Sequence, residues 1–279
     1  MAVNVTYEVT NPPDGITTYT HIRIETADDS GGSPGAFSLL TTVSVDTTQE
    51  ITAYSTTAAD NTDWFRHRYE NATTAAYSDY SASLQVGDYL VRQWIKSDIT
   101  DTTITNAMWN QWRDQAFLDM QLRHFSIPAD IQSITPSSYT DEWEQLDFAI
   151  DTVTAVEIYD TSGYYICSTD DWDQRGSQVR IYHPDTDLRY KVYGTKELKS
   201  ISDILEADET MQILFWLMKS NYYQKKIDER MDFKYWLSAD KTSDVSADQL
   251  LRMKEHCIAE AERRMVNAMG RQEIRGNSR

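Results

Sequence analysis

This 279-residue chain has no apolar run near the roughly 18 residues that would cross a bilayer, so no membrane-spanning helix is expected. Cysteine is scarce: Cys167 and Cys257 lie far apart and form no CxxC pair. A disulfide framework or thiolate metal centre is therefore not expected, and both read as free thiols of a reducing compartment. The opening MAVNVTYEVT has neither a basic start nor an apolar stretch, so it is not read as a secretory leader, and synthesis in a cytoplasm is expected. Without secretion, the short sequons at Asn4 and Asn71 carry no meaning. Lysine is missing altogether from residues 1–86, where 11 acidic side chains face only Arg23, Arg66 and Arg68, a net −8.

Catalytic motifs are also missing. There is no Walker loop, G-x-G-x-x-G or G-x-S-x-G, so neither phosphate cradling nor a nucleophile elbow has support. His21, His67, His124, His183 and His256 are scattered without ligand spacing. Asp170, Asp171 and Asp173 offer hard oxygen ligands but lack the glycine and further ligands of a calcium loop, and read as a solvated acidic turn. The chain is expected to be no enzyme, with no cofactor and no metal.

What is present suits two soluble domains: 40% hydrophobic and 25% charged residues. The net charge of −18 argues against coating nucleic acid with the whole surface. Residues 263–279 run the other way, with five Arg and one Glu for a net +4. Five arginines could meet phosphates, but no aromatic is interleaved for base stacking, so a protein partner is the favoured reading.

Residues 3–10, 19–26, 37–45, 49–56, 63–71 and 76–85 read as short strands separated by turn residues, the pattern of a β-sandwich. The prolines and glycine of Asn11-Pro12-Pro13-Asp14-Gly15 mark one such turn. With WFRHRYENATTAAYSDYS near its end, this segment resembles a fibronectin type III or related immunoglobulin-like domain. It departs from that family in lacking the first strand and in placing Tyr7 where a core Trp is expected. The missing strand leaves a sheet edge that a neighbouring chain or the second domain would cover. Trp64, Phe65 and Tyr69 read as core aromatics.

From Gly87 the period changes. Residues 88–96 predict a short helix, and a longer one runs to about His124 on a stripe of Ile104, Met108, Trp112, Ala116 and Met120, with Leu118, Leu122 and Phe125 alongside. Pro128 and Pro136 bound a loop. An antiparallel meander follows at about 144–193, with strands at 146–150, 156–159, 164–167, 179–183 and 188–193. Residues 205–236 predict the strongest helix; its MQILFWLM stretch is apolar nearly all round, which suggests burial by neighbouring copies. A last helix starts at a Ser246/Gln249 capping box, carries Leu251, Ile258, Ala261, Met265 and Met269 on one face, and is expected to stop at Gly270 before a mobile tail.

This order over residues 87–270, including IKSDITDTTITNAMWNQW, resembles the head-to-tail adaptor (connector) proteins of tailed bacteriophages. The expected class is multidomain α+β: an Ig-like or fibronectin III-like β-sandwich at 1–86, a helical adaptor domain with a β insertion at 87–270, and a flexible basic tail at 271–279. The resemblance implies a structural virion protein at the neck, assembled in the host cytoplasm. It also implies a ring of copies, usually a dodecamer, contacting the portal and a tail or neck protein around passing DNA that is not read by sequence, with no membrane. Arg263, Arg264, Arg271, Arg275 and Arg279 become candidate partner-interface residues. The alternative is a binding module whose Ig-like domain recognises a glycan or cell-surface protein.

Overall fold

The computed structural model describes residues 3–12, 19–46, 48, 50–99, 104–136, 142–146, 150–234 and 246–277. Among these residues it is a mixed α+β protein of antiparallel sheets and five helices. The chain forms two compact units, Met1–Arg113 with Ser200–Cys257, and Asp114–Lys199 with Ile258–Arg279. Residues 1–86 thus share one unit with helices that lie more than 100 residues further along the chain.

The first unit opens with β1 (Val3–Thr10), β2 (His21–Ala27), β3 (Ser38–Ser44), β4 (Ile51–Ala59), β5 (Trp64–Asn71), β6 (Ala76–Tyr77) and β7 (Leu84–Gln85). β1 pairs with β4, while the second sheet runs β3-β2-β5-β6 with β7 also on β5. Alternating β1 buries Val5, Tyr7 and Val9 against Ile22, Ile24 and Phe65 of the other sheet. Tyr7 sits at the centre, its ring 4.3 Å from Phe65, so a tyrosine does occupy the core. Its hydroxyl is buried and has no hydrogen-bond partner among the described residues. Tyr7→Phe should therefore raise stability by about 1 kcal/mol, read as a higher urea midpoint with unchanged slope. A loss would show that the hydroxyl is satisfied.

The helices of this unit are α1 (Val86–Asp98), the first part of α2 (Asn106–Leu122), α3 (Ile201–Leu205), α4 (Asp208–Lys234) and the first part of α5 (Ala247–Asn277). α3 begins with a Ser200/Asp203 capping box, and α5 with the Ser246/Gln249 box expected from sequence, Ser246 N donating to Gln249 Oε1 at 2.7 Å. α4 corrects one expectation. Met211, Ile213, Leu214, Leu217 and Met218 are already buried within the chain, so the apolar stretch needs no neighbouring copies to cover it.

In the second unit, β8 (Ser126–Pro128), β9 (Gln132–Ile134), β10 (Trp143–Gln145), β11 (Thr152–Tyr159), β12 (Tyr165–Thr169), β13 (Trp172–Arg175), β14 (Gln178–Ile181) and β15 (Arg189–Glu197) form two antiparallel sheets, β12-β11-β15-β8/β9 and β10-β14-β13. Their core holds Ile134, Val153, Val156, Val179, Ile181, Tyr190 and Val192. Gly194 makes the close approach of β11 and β15 possible at an irregular register, since a Cβ there would overlap Ile150 Cγ2 and Thr152 O. The span expected to be a loop after Pro128 holds β9 instead, paired with β15. The middle of the strand expected at 146–150 lies outside the described residues. Phe125 is buried as expected, but Leu118 and Leu122 of α2 are exposed. On α5, Leu251 is exposed while Leu250, Cys257, Ala261 and Met265 are buried, so the apolar stripe begins one residue earlier than its sequence reading.

Candidate functional site

Among the described residues β1 pairs only with β4, and a helix of the same unit meets its other side. Val86 and Tyr89 of α1 belong to the module's core. The Tyr89 hydroxyl donates to Thr6 O at 2.9 Å and accepts from Glu8 N at 2.9 Å, satisfying the outer row of β1 where another strand would pair. Burial pushes that hydroxyl up to about 12, so it stays protonated and able to donate. Two further backbone bonds tie the junction: Val86 N to Asp63 O at 2.8 Å and Gly87 N to Asn61 O at 2.7 Å. Gly87 is tightly packed: a Cβ would lie 3.0 Å from both Leu205 Cδ2 and Met211 Sδ, so those side chains would have to give way by a few tenths of an ångström. Buried Gln85 Nε2 donates to Ser202 Oγ at 2.8 Å. Tyr89→Phe should cost about 1–3 kcal/mol and speed hydrogen exchange at the Glu8 amide, because two backbone groups lose their partner. Unchanged exchange there would mean another group covers the edge.

The outer face of the second sheet carries a ladder of rings and guanidinium groups. Arg66 Cζ lies 4.0 Å from the Phe37 ring centroid and 3.7 Å from that of Tyr80; Arg68 Cζ lies 3.9 Å from Tyr77 and 4.6 Å from Tyr80. The segment Tyr77-Ser78-Asp79-Tyr80-Ser81 is zipped to β5, with Ser78 Oγ accepting from Tyr69 N and Ser81 Oγ from His67 N. Sequence reading has one strand at 76–85; serine hydroxyls bridge the gap between β6 and β7 instead. Buried Glu25 accepts from Arg66, Tyr80 and Arg23. Burial alone would raise its carboxyl, but those hydrogen bonds outweigh it and hold the group below its ordinary 4.5. A depressed carboxyl stabilises the fold above its unfolded value and loses that contribution as pH falls through the folded one. Below about pH 4.5, then, the natural protein should lose stability more steeply than Glu25→Gln; parallel urea midpoints against pH would contradict this. The guanidinium groups are engaged with rings and carboxylate, which marks the face as a stabilising device.

In the second unit, the β11–β12 hairpin is the most exposed apolar feature among the described residues. Tyr164 is 74% exposed, Tyr165 52% and Ile166 51%, with free Cys167 also at the surface. Residues 160–173 contain four Asp and no Lys or Arg, a net −4. Behind them Tyr159 donates to Glu157 Oε2 at 2.7 Å, and Lys191 Nζ lies 3.9 Å from the Tyr159 ring centroid. Asp173 enters β13, so the acidic turn is in part a strand.

Of the arginines singled out from sequence, Arg263 is exposed on α5 and bonds Glu260 at 2.7 Å, while Arg264 is half-buried. α5 passes Gly270 without stopping there and continues to Asn277, so Arg271 and Arg275 lie on a helix where a loose tail was expected; Arg279 lies outside the described residues. A glycine inside a helix costs only about 1 kcal/mol, which neighbouring helical residues can offset.

A cavity of about 100 Å³ lined by Gln121, His124, Phe125, Glu197 and Leu198 is well below the roughly 300 Å³ of small-molecule sites. Burial pushes the Cys257 thiol up to about 11, far from a reactive thiolate. Among the described residues no group of three or more His, Cys, Asp or Glu could hold a metal ion, and no helix is long and apolar enough to cross a membrane.

No protein-family model matches the chain, and no curated protein does. Among solved structures, a chain described as "Virion of native gene transfer agent (GTA) particle" is similar at 15% identity, over 52% of this chain and 75% of its own, with a TM-score of 0.21. A score that low carries no weight for fold or function.

Proposed function

We propose that this protein is a structural virion subunit, an adaptor at the junction of head and tail, without catalysis of its own. The observation that carries this reading is the β11–β12 hairpin, whose contiguous Tyr164, Tyr165 and Ile166 stand in solvent at the margin of a well-packed sheet. Large apolar side chains left in solvent at one hairpin support a surface that another protein covers. The order of elements supports it: a β-module, α1 and α2, an antiparallel insertion, then α3 to α5, as in the adaptor family the sequence resembles. In this reading the module is an immunoglobulin-like sandwich whose first strand is replaced by α1. Copies assemble as a ring that meets the portal and a tail or neck protein and surrounds DNA without reading its sequence.

Peptide mass spectrometry of purified particles, followed by imaging of their necks, tests this. The chain should be present in a fixed number of copies at the neck. Particles that lack it, or that carry it elsewhere, would sink the adaptor reading.

A further inference from the structure

We propose that the outer edge of β4 is a docking site for an extended segment of a different protein, which adds to the β1–β4 sheet as a third strand. The segment alternates apolar with polar residues and carries Lys or Arg at its ends. The edge is independent of the virion reading.

The pairing shows which backbone groups are free. Asn11 N donates to Glu50 O at 2.8 Å, and the register sets Val9 opposite Thr52 and Tyr7 opposite Tyr54. Hydrogen-bonded and non-hydrogen-bonded pairs alternate along an antiparallel ladder. Thr52 and Tyr54 therefore bond β1, while Ile51, Ala53 and Ser55 turn their N–H and C=O away from it. The facing strand agrees: Tyr89 reaches Glu8 N and Thr6 O, and these residues are the partners of Ala53 and Ser55. α1 thus meets the outer side of β1, whereas among the described residues β4 pairs only with β1. Ile51, Ala53 and Ser55 are all exposed.

An open edge is normally guarded by charge, proline, irregular register or brevity. The other outer strands among the described residues carry such guards. Register shifts between Ile24 and Glu25 where β2 meets β3, and between Ile158 and Tyr159 where β11 meets β12; β8 holds Pro128. β6, β7, β9, β10 and β13 have at most four residues each. β4 runs nine residues, Ile51–Ala59, without charge, proline or glycine, and its register is regular from Ile51 to Thr56.

Side chains and charge choose the occupant. Tyr54 with Leu40, Val43 and Val45 is only half-buried against the core of the module. A strand with Val or Ile at alternate positions covers them, leaving its polar residues beside Ala53 and Ser55 in solvent. Glu50 and Asp60 bracket β4, in a module of 11 acidic side chains, three Arg and no Lys. Basic ends suit that setting. A second copy does not: pairing β4 with itself about a twofold axis at Ser55, its middle residue, sets Glu50 of one copy opposite Asp60 of the other at both ends.

The test is amide hydrogen exchange by NMR on the full chain, with a synthetic peptide of alternating Val and Thr bearing Lys at both ends. At about 1 mM the peptide should slow exchange at Ile51, Ala53 and Ser55 about 2-fold or more, leaving Thr52 and Tyr54, already bonded to β1, unchanged. The same peptide ending in Glu should protect less, and about 0.5 M NaCl should narrow the difference. Ala53→Pro takes one N–H from the free row and none from the bonds to β1, so it should abolish the protection with little change in urea midpoint. Should that variant unfold, the exchange pattern of the natural chain decides. Amides that exchange alike with and without peptide, or equal protection by the Lys and Glu peptides, would overturn the proposal. Protection of the same three amides that grows with the concentration of the chain alone would also overturn it, by making a second copy the occupant. Particles lacking this chain would refute the virion reading and leave the edge standing.

Discussion

Replacing Asp88 with alanine should cost about 3–5 kcal/mol, the largest single-residue effect expected here. Asp88 is 0% exposed and stands in the first turn of α1, where a carboxylate also suits the helix dipole. Its Oδ1 accepts from Arg92 Nε at 3.0 Å and its Oδ2 from Arg92 Nη2 at 2.7 Å, while Arg113 Nη1 of α2 donates to Oδ2 at 3.0 Å. Arg92 also donates to Asn110 Oδ1 at 2.7 Å. Removing the carboxylate strands a buried guanidinium between two helices, and the loss of hydration is then uncompensated. The attraction between the charges is less decisive, because both were desolvated to bring them together. It follows that Asp88→Leu combined with Arg92→Met should recover most of the loss. Urea unfolding of the three proteins reads this directly. A single variant within about 1 kcal/mol of the natural chain would mean water reaches Arg92.

A chain starting at Gly87 should fail to fold cooperatively, although the sequence changes character there. Val86 is 0% exposed, and Tyr89 and Leu90 pack in the core of the β-module, so deletion bares one face of α1. Asn61 O, Asp63 O and Gln85, which hold the start of α1 and Ser202, go with it. Burying a large apolar side chain contributes about 1.5–3 kcal/mol, and a domain's net stability is only about 5–15 kcal/mol, so losing several such contacts suffices. The expected result is a broad thermal transition and rapid proteolysis of α1 and α4. A sharp transition in the shortened protein would show that the helices stand alone. Removing the module to ask what it binds would therefore also disturb the helices; point substitutions on its surface are the cleaner instrument.

Much of this was readable in one dimension. The strands from β1 to β5 follow from period-two alternation between turn residues, and the Ser246/Gln249 cap from a four-residue pattern, because both signals are local. The short β8, β9 and β10 have no signature in the sequence: three residues paired to a distant strand leave no periodicity to detect. Leu118 and Leu122 of α2 fall on an apolar stripe by spacing yet are exposed, since spacing reports a shared face without saying whether anything lies against it.

Local order fixed the β-module, the run of helices and the antiparallel insertion, along with the opposite charges of 160–173 and 263–279. Only the folded chain decided that Tyr89 of α1 bonds the free side of β1, that α4 is covered without help, and that Tyr164 to Ile166 are left in solvent. The reason is physical: hydrogen-bonding period and capping are set by neighbours a few residues away. Which apolar face is finally buried depends on residues such as Tyr89 and Thr6, 83 positions apart, meeting in space.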